Sequence, residues 1–349
     1  KRQRLGYLMD GDAPVEGRWN FDQDNREPPP QDPSIFSGPP RSKLDELDAE
    51  VLDSLPETFG QPPVGYWATS RRAALTRLRH FLDHELERFG PYEDAMTSRS
   101  WSLAHSMLSP YLNLGLLRPA EVCDAVEARY RDGRVPINSA EGFIRQIIGW
   151  REFVWGIYWL WADHIEANAL DHRRELPPMF TGEAATEMRC VADTLRGLDE
   201  RAWVHHIPRL MVLSNLSSLY GIHPRRVMDW MLDRYIDGAE WVMVPNVMGM
   251  ALWADGGRMA TKPYISGGAY IDRMSDYCDD CPYDPRKRTG DDACPFTTLY
   301  WDFLARHEER LRDNRRLARP LSSMRKLKDL DDVRERAVTV VRGIRAGTV

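Results

Sequence analysis

The chain has 349 residues, 47 Lys plus Arg against 53 Asp plus Glu, a net charge of −6, 42% hydrophobic residues, five Cys and 12 Trp. This composition excludes bulk disorder and gives no global attraction to nucleic acid, so any such binding must come from a local basic face. The longest strongly apolar run, residues 153–162, is ten residues against the roughly 20 of a membrane span, and charges interrupt the start KRQRLGYLMDGDAPVEG where a signal peptide needs its apolar core. An intracellular protein with no membrane association is expected, a setting in which Cys clusters bind metals more often than they pair.

Residues 10–66 are rich in Pro, Gly and acid (DGDAP, NREPPPQDP, SGPPR, GQPPVG). Residues 1–66 therefore read as an extended interdomain linker or covering segment, interrupted by a short helix around 44–55. After Trp67, Leu75, Leu78, Leu82 and Leu86 recur at helical spacing on one face, with Ser70 as N-cap. Further helices are expected over 100–117, 119–131, 140–167, 184–196, 208–220, 224–233 and 296–312. Gly221 followed by Pro224 stops the 208–220 segment. Alternating β patterns are scarce and no GxGxxG follows a strand, so neither a Rossmann nor a P-loop domain is encoded. The expected fold class is all-α, with residues 67–349 as one helical domain.

Cys278, Cys281 and Cys294 form CxxC-x12-C inside YCDDCPYDPRKRTGDDACPF, a loop (276–296) whose Gly and Pro suit wrapping around an ion or cluster. A fourth ligand is needed. His307 would complete a zinc site, and Cys190, which lies 278 − 190 = 88 residues upstream, would complete an all-thiolate site for zinc or [4Fe–4S]. Spacing alone does not choose between them. Cys123, at an apolar helical position, reads as core.

Four stretches, 69–122 (TSRRAALTRLRHFLDHELERFGPYEDAMTSRSWSLAHSMLSPYLNLGLLRPAEV), 141–159 (EGFIRQIIGWREFVWGIYW), 205–224 (HHIPRLMVLSNLSSLYGIHP) and 240–285, resemble the catalytic helical domain of the photolyase/cryptochrome superfamily. The framework Cys190, Cys278, Cys281, Cys294 is similar to its iron–sulfur bacterial branch, the prokaryotic (6-4) photolyases. The resemblance implies an all-helical FAD-binding domain carrying a [4Fe–4S] cluster and repairing UV-made (6-4) pyrimidine photoproducts in DNA with light. Family members also have an N-terminal α/β antenna domain that binds a lumazine; nothing in this chain resembles it. We expect a catalytic domain opening near the interdomain linker, with a lumazine only if an upstream domain exists. A monomer in the bacterial cytoplasm or nucleoid is expected.

By the same resemblance, Ser106, Leu108 and Ser109 of SMLSPYL hold the FAD pyrophosphate, a role that hydroxyls and amides at a helix start can fill. Taken alone, the two Ser before Pro110 read as a cap. Trp150 and Arg151 of GWRE match positions near the flavin, where a fixed cation favours its reduced, anionic form. Without the family, 143, 147, 150, 154, 157 and 161 are an apolar helical stripe and Trp150 is core. Asn246 matches the Asn facing flavin N5, and Gly249 and Asp255 lie in the same flavin-contacting stretch. Met250 stands where classical photolyases carry Trp, a departure typical of the iron–sulfur branch.

Repair couples electron transfer from excited reduced FAD to proton transfer, for which His is suited near neutral pH. The resemblance gives that role to His205 and His206, with Arg209 sharing the helical face of His205 if the helix extends that far, and Tyr264 and Tyr270 lining the lesion pocket. A second His and an Arg nearby disfavour protonation of His205, so a lesion phosphate or a carboxylate must offset them, and Asp94, where the family has an acidic residue close to the site, is the candidate. Read alone, the His pair before IPRL is structural. Arg71, Arg72, Lys262 and Arg273 are candidates for gripping phosphates of DNA carrying a flipped lesion. Trp230 resembles the flavin-proximal electron relay, but Met231 and Phe180 stand where relatives carry Tyr and Trp, so the conventional relay reads as interrupted. Two alternatives stay open: a cryptochrome-like blue-light receptor of the same fold, and a zinc-binding helical nucleic-acid module without flavin.

Overall fold

The computed structural model describes residues 1–56, 58–62 and 65–349, with the backbone alone at 162 and 164. Pro63 and Val64 of the GQPPVG stretch lie outside the described residues. Among the described residues the only paired strands form a two-residue hairpin, Met9–Asp10 against Ala13–Pro14, and the remaining regular structure is helical. The all-α expectation therefore holds. No described helix is long and apolar enough to cross a membrane.

Contacts divide the chain into two compact units, Lys1–Phe153 with Gly197–His205 and Val154–Arg196 with His206–Val349. This division falls inside the 67–349 span and places residues 1–66 with the helices that follow them.

In the first unit, the lead segment contributes Leu8, Val15, Phe21 and Phe36 to the core. Its one sizeable helix, Glu46–Ser54, starts from an Asp45–Asp48 capping box, close to the expected position. Ser70 caps the next helix through Ala73 N–H, and the winding runs on through Arg71–His80, Phe81–Glu85 and Leu86–Tyr92. Phe143 of Ile137–Ile144 lies 4.8 Å from Phe81 and 5.3 Å from Phe89, centroid to centroid. Burying such a ring stabilises by about 2–3 kcal/mol. Gly90 and Gly142 let buried Asn25 sit between the two helices: a Cβ on either would fall within 2.9 Å of the Asn25 amide.

The helix Pro119–Arg131 matches its expectation. The one expected over 100–117 does not form. Only Ser109–Asn113 is helical there, and Leu103 and Met107 take left-handed φ of 43° and 57°. A left-handed residue breaks the helical hydrogen-bond ladder, and two of them this close leave a run of turns.

The second unit is built around Pro208–Ser214 and Asn215–Tyr220, one continuous winding in which only Arg209 and Leu210 are partly exposed. It ends at Gly221 with φ 90°, and Pro224–Arg234 follows. Pro295–Arg306 packs on both Asn215–Tyr220 and Leu330–Ala346. The expected 296–312 helix breaks at His307, and the 184–196 helix runs instead over Arg189–Arg201. The expected 140–167 helix runs over Ile137–Ile144, Arg145–Arg151 and Glu152–Leu160 and gives way to a 3-10 turn, Ala162–Glu166.

Four described stretches take the wider π winding: Phe81–Glu85, Arg145–Arg151, Pro208–Ser214 and Val244–Ala251. Such windings concentrate at functional sites. Three of the four contain residues that the sequence singles out, namely Trp150 and Arg151, Arg209, and Asn246 and Gly249.

Candidate active site and metal centre

Ala202, at φ 52°, ends the helix Arg189–Arg201, and the next helix starts at His206 with Pro208 in its first turn. His205 thus lies in the short link before the helix, which corrects the expected i, i+4 face shared with Arg209. Pro favours the first turn, where its missing N–H costs nothing, and this sets the helix start. His205 is buried and His206 exposed. The His205 ring stacks on His105 at 4.2 Å with 22° between planes. The sequence reading did not single out His105.

Arg209 forms a bidentate ion pair with Asp237, Nη1 to Oδ1 at 2.8 Å and Nη2 to Oδ2 at 3.1 Å. Its guanidinium carbon lies 4.1 Å from the ring centroid of Tyr235, a phenol whose pKa burial raises. Asp237 is the second residue that sequence reasoning missed; in IDG it reads as a turn. On the same helix, Asn215 donates its amide to the Ser266 carbonyl at 2.9 Å and accepts from Ser266 N–H at 3.1 Å. That pair fastens the segment between exposed Tyr264 and half-buried Tyr270 to the helix that carries Arg209.

Of the flavin candidates, Ser106 accepts a hydrogen bond from Leu108 N–H at 3.4 Å, across left-handed Met107. Ser109 opens a helix of only five residues, Ser109–Asn113, whose dipole is too short to hold an anion alone. Backbone held in sparse φ/ψ regions is a feature of ligand clamps, and this loop has two such residues. Trp150 is half-buried on a helix, and Arg151 reaches the Leu112 carbonyl at 3.5 Å, its pKa lowered by burial.

Asn246 donates its amide to the Val242 carbonyl at 2.7 Å, which fixes the orientation of the side chain. The Asp255 carboxylate accepts from Gly257 and Met259 N–H, both at 2.9 Å. Gly249 is held to hydrogen by Met259, since a Cβ there would meet its Sδ at 2.8 Å. Ser106, Leu108, Ser109, Trp150 and Arg151 belong to the first unit, and Asn246, Gly249 and Asp255 to the second.

The four cysteines converge. Cys190, Cys278, Cys281 and Cys294 line one cavity with Met188, Ile271 and Phe296. His307 is not among its walls, and its Nε2 lies 3.3 Å from His172 Nε2, whereas Cys190 is among them. Within the loop, Asp284 N–H donates to the Asp292 carbonyl at 2.7 Å and Cys294 N–H to the Asp284 carbonyl at 3.2 Å.

Burial first, and the neighbouring sulfurs next, push Cys190 well above its ordinary pKa and Cys278 up to about 12. Cys294 is pushed up to about 11 by burial, against the opposing pull of the Thr297 and Phe296 amides at the start of its helix. Sulfurs gathered this way become thiolates only against a cation. A Cβ on Gly268 would lie 2.9 Å from Cys294 Sγ, so the wall is cut back where the sulfur sits. These residues fit a four-thiolate metal centre. Cys123, fully buried, is core as expected.

A (6-4) photolyase of Agrobacterium fabrum (strain C58 / ATCC 33970) is 45% identical over 348 residues, which cover 98% of this chain and 68% of that protein. The chain belongs to the (6-4) photolyase family. A family model described as Deoxyribodipyrimidine photo-lyase-related protein matches residues 1–66. An uncharacterized protein of Acanthamoeba polyphaga mimivirus is 34% identical over 94 residues, 27% of this chain and 69% of its own. Among solved structures, a bacterial class III photolyase from Agrobacterium tumefaciens aligns with TM-score 0.48 and 21% identity, covering 80% of this chain and 57% of that one. A Synechocystis sp. PCC6803 cryptochrome aligns with TM-score 0.47 and 21% identity, over 58% of this chain and 44% of its own. The chain thus spans less than two thirds of either solved structure.

For a photolyase-family chain, two further placements matter. Trp230 is buried and its indole N–H donates to the Phe180 carbonyl at 2.8 Å, with the two rings 4.8 Å apart. Arg71, a candidate for gripping phosphates, is half exposed and carries its own acidic partner. Its guanidinium is already held by Glu121 at 2.7 and 2.9 Å and by the Leu116 carbonyl, because Glu121 sits one helical turn inside Pro119–Arg131 facing it. Lys262 and Arg273 are exposed, the latter over the Tyr270 ring at 5.5 Å.

Proposed function

We propose that this chain carries out light-driven repair of (6-4) pyrimidine photoproducts in UV-damaged DNA, with FAD as cofactor and a [4Fe–4S] cluster on Cys190, Cys278, Cys281 and Cys294. The 45% identity to a (6-4) photolyase across 98% of the chain carries this reading. Reduced FAD, when bound, supplies the electron that light sends to the lesion. Ser106, Leu108 and Ser109 hold its pyrophosphate, while Trp150, Arg151, Asn246, Gly249 and Asp255 bind and orient its ring system. His205 gives a proton to the lesion and takes it back, a task suited to an imidazole near neutral pH.

His206, Arg209, Tyr264 and Tyr270 hold the flipped lesion, with Asp237 fixing the direction of the Arg209 fork. Flipping costs a few kcal/mol, less for a lesion that already distorts the duplex. With a net charge of −6, DNA binding is local and weakens with salt. The protein acts as a monomer in the cytoplasm or nucleoid, where the substrate is, and a lumazine antenna enters only with an upstream α/β domain. Absorption decides the cofactors. A yellow or brown protein containing flavin and iron supports the reading, and a colourless protein containing zinc overturns it.

A further inference from the structure

We infer that His105 is a positioning residue for the repair reaction: stacked on His205, it holds that imidazole in plane and stays neutral, so that the pair carries a single proton and carries it on His205. The inference rests on the repair reading above.

The geometry around His105 leaves its ring little freedom. Nδ1 lies 3.1 Å from the Ser102 carbonyl, which can only accept, so Nδ1 carries the hydrogen and the basic nitrogen is Nε2. Phe89 and Trp203, both buried, meet the ring edge-on at 6.1 and 6.4 Å. The face presented to His205 is thus set by a hydrogen bond and two aromatic walls.

Charge then separates the two imidazoles. A neutral ring face stabilises a cation stacked on it, whereas two imidazolium rings 4.2 Å apart repel, so the two protonation steps are driven apart. The charged and titratable groups around His105 are Arg77, His80 and Glu85, which share a small cavity with it, and His206, the exposed third imidazole that follows His205 in the chain. Arg77 is buried and always cationic, which disfavours a second positive charge at His105. Glu85 is turned to Ser37, accepting from its N–H at 2.8 Å and its hydroxyl at 2.6 Å. His80 is held below its ordinary pKa, first by burial. The proton therefore rests on His205. As the lesion takes an electron, the proton moves from the His205 ring to the lesion oxygen or nitrogen, and it returns when the electron does, so none is consumed.

The test uses flavin-loaded protein and DNA containing one (6-4) photoproduct, with light-saturated turnover followed against pH. His105→Ala removes the face that stabilises the His205 cation. Its alkaline limb should move down by about one pH unit, turnover at neutral pH should fall about tenfold, and lesion binding should stay within about twofold. His105→Phe keeps a ring on His205 but cannot titrate, so it should recover most of the turnover, keep the wild-type alkaline limb and lose the acid limb. Wild-type profiles in both variants, or His105→Phe as impaired as His105→Ala with unmoved limbs, would overturn the inference. Histidine Cε1–H NMR titration of the same proteins reads the pair independently of repair. Two coupled steps in wild type that collapse to one in His105→Phe uphold the pairing, and independent titrations overturn it. Coupled titration in a wild-type protein that repairs nothing would overturn the repair reading and leave the pairing standing.

Discussion

Trp230 and Phe180 are joined twice, by an indole N–H to carbonyl hydrogen bond of 2.8 Å and by ring centroids 4.8 Å apart. If Trp230 is the flavin-proximal relay its position resembles, that relay is in van der Waals contact with a ring that does not oxidise readily. Trp230→Phe should slow flavin photoreduction under blue light with a thiol donor, and Phe180→Trp should speed it. The Trp230 change also leaves a buried carbonyl without its donor, at a cost of about 1–3 kcal/mol. Unchanged photoreduction in both variants would remove Trp230 from the path.

The Arg209–Asp237 pair is largely buried, with side-chain exposures of 21% and 8%. Asp237→Asn keeps the shape and removes the charge, leaving a cation mostly out of water. We expect a loss of about 2–4 kcal/mol in urea unfolding, reduced in proportion to what solvent still reaches. Lesion affinity should fall as well, since the guanidinium loses its fixed direction. A double-mutant cycle with Arg209→Met checks the coupling, and additive losses would show that the two side chains act separately.

Acid should unfold the second unit through His172 and His307. Burial first, then the neighbouring positive groups, lowers His172 from 6.5 to about 3, and burial followed by Arg306 and Arg310 lowers His307 to about 4. Unfolding restores the ordinary value, so below pH 6.5 the unfolded chain binds more protons. The stability of the neutral pair is complete above that pH and drains away as pH falls toward 4 and then 3, by a few kcal/mol. His172→Phe should flatten the dependence of Tm on pH between 6.5 and 4. A Tm equally acid-sensitive in this variant would assign the effect to other groups.

The thiol cavity gives a test by substitution. Cys281→Ser should lose iron and the associated colour and unfold at lower temperature, because a bound centre contributes to folding. Gly268→Ala places a Cβ 2.9 Å from Cys294 Sγ and 3.1 Å from Pro285 Cα. Overpacking of this kind costs about 1–3 kcal/mol, and iron content should fall with it. A fully loaded, equally stable Cys281→Ser protein would show that the ligand set is wrong.

What the sequence made legible was local. Pro119 with Glu121 marks a helix start and Gly221 with Pro224 marks a stop; each signal is complete within a few residues. The 100–117 stretch misled because its apolar spacing suits a helix while Leu103 and Met107 are held left-handed by their surroundings. His105 and Asp237 were missed for a related reason. Their partners, His205 and Arg209, are 100 and 28 residues away, and no spacing rule links them. The sequence left the fourth ligand open between Cys190 and His307; the fold sets Cys190 in the wall of the cavity that the other three cysteines line and His307 against His172, a placement that no spacing shows.

Repair of a single (6-4) lesion by light is tested most directly on two duplexes. Duplexes carrying a single (6-4) photoproduct or a single cyclobutane dimer, incubated with the flavin-reduced protein in blue light and in the dark, separate the outcomes when the bases are counted by mass spectrometry. We predict restored thymines only from the (6-4) duplex and only in light. An unchanged (6-4) duplex after illumination, with the flavin fully reduced, would contradict the account.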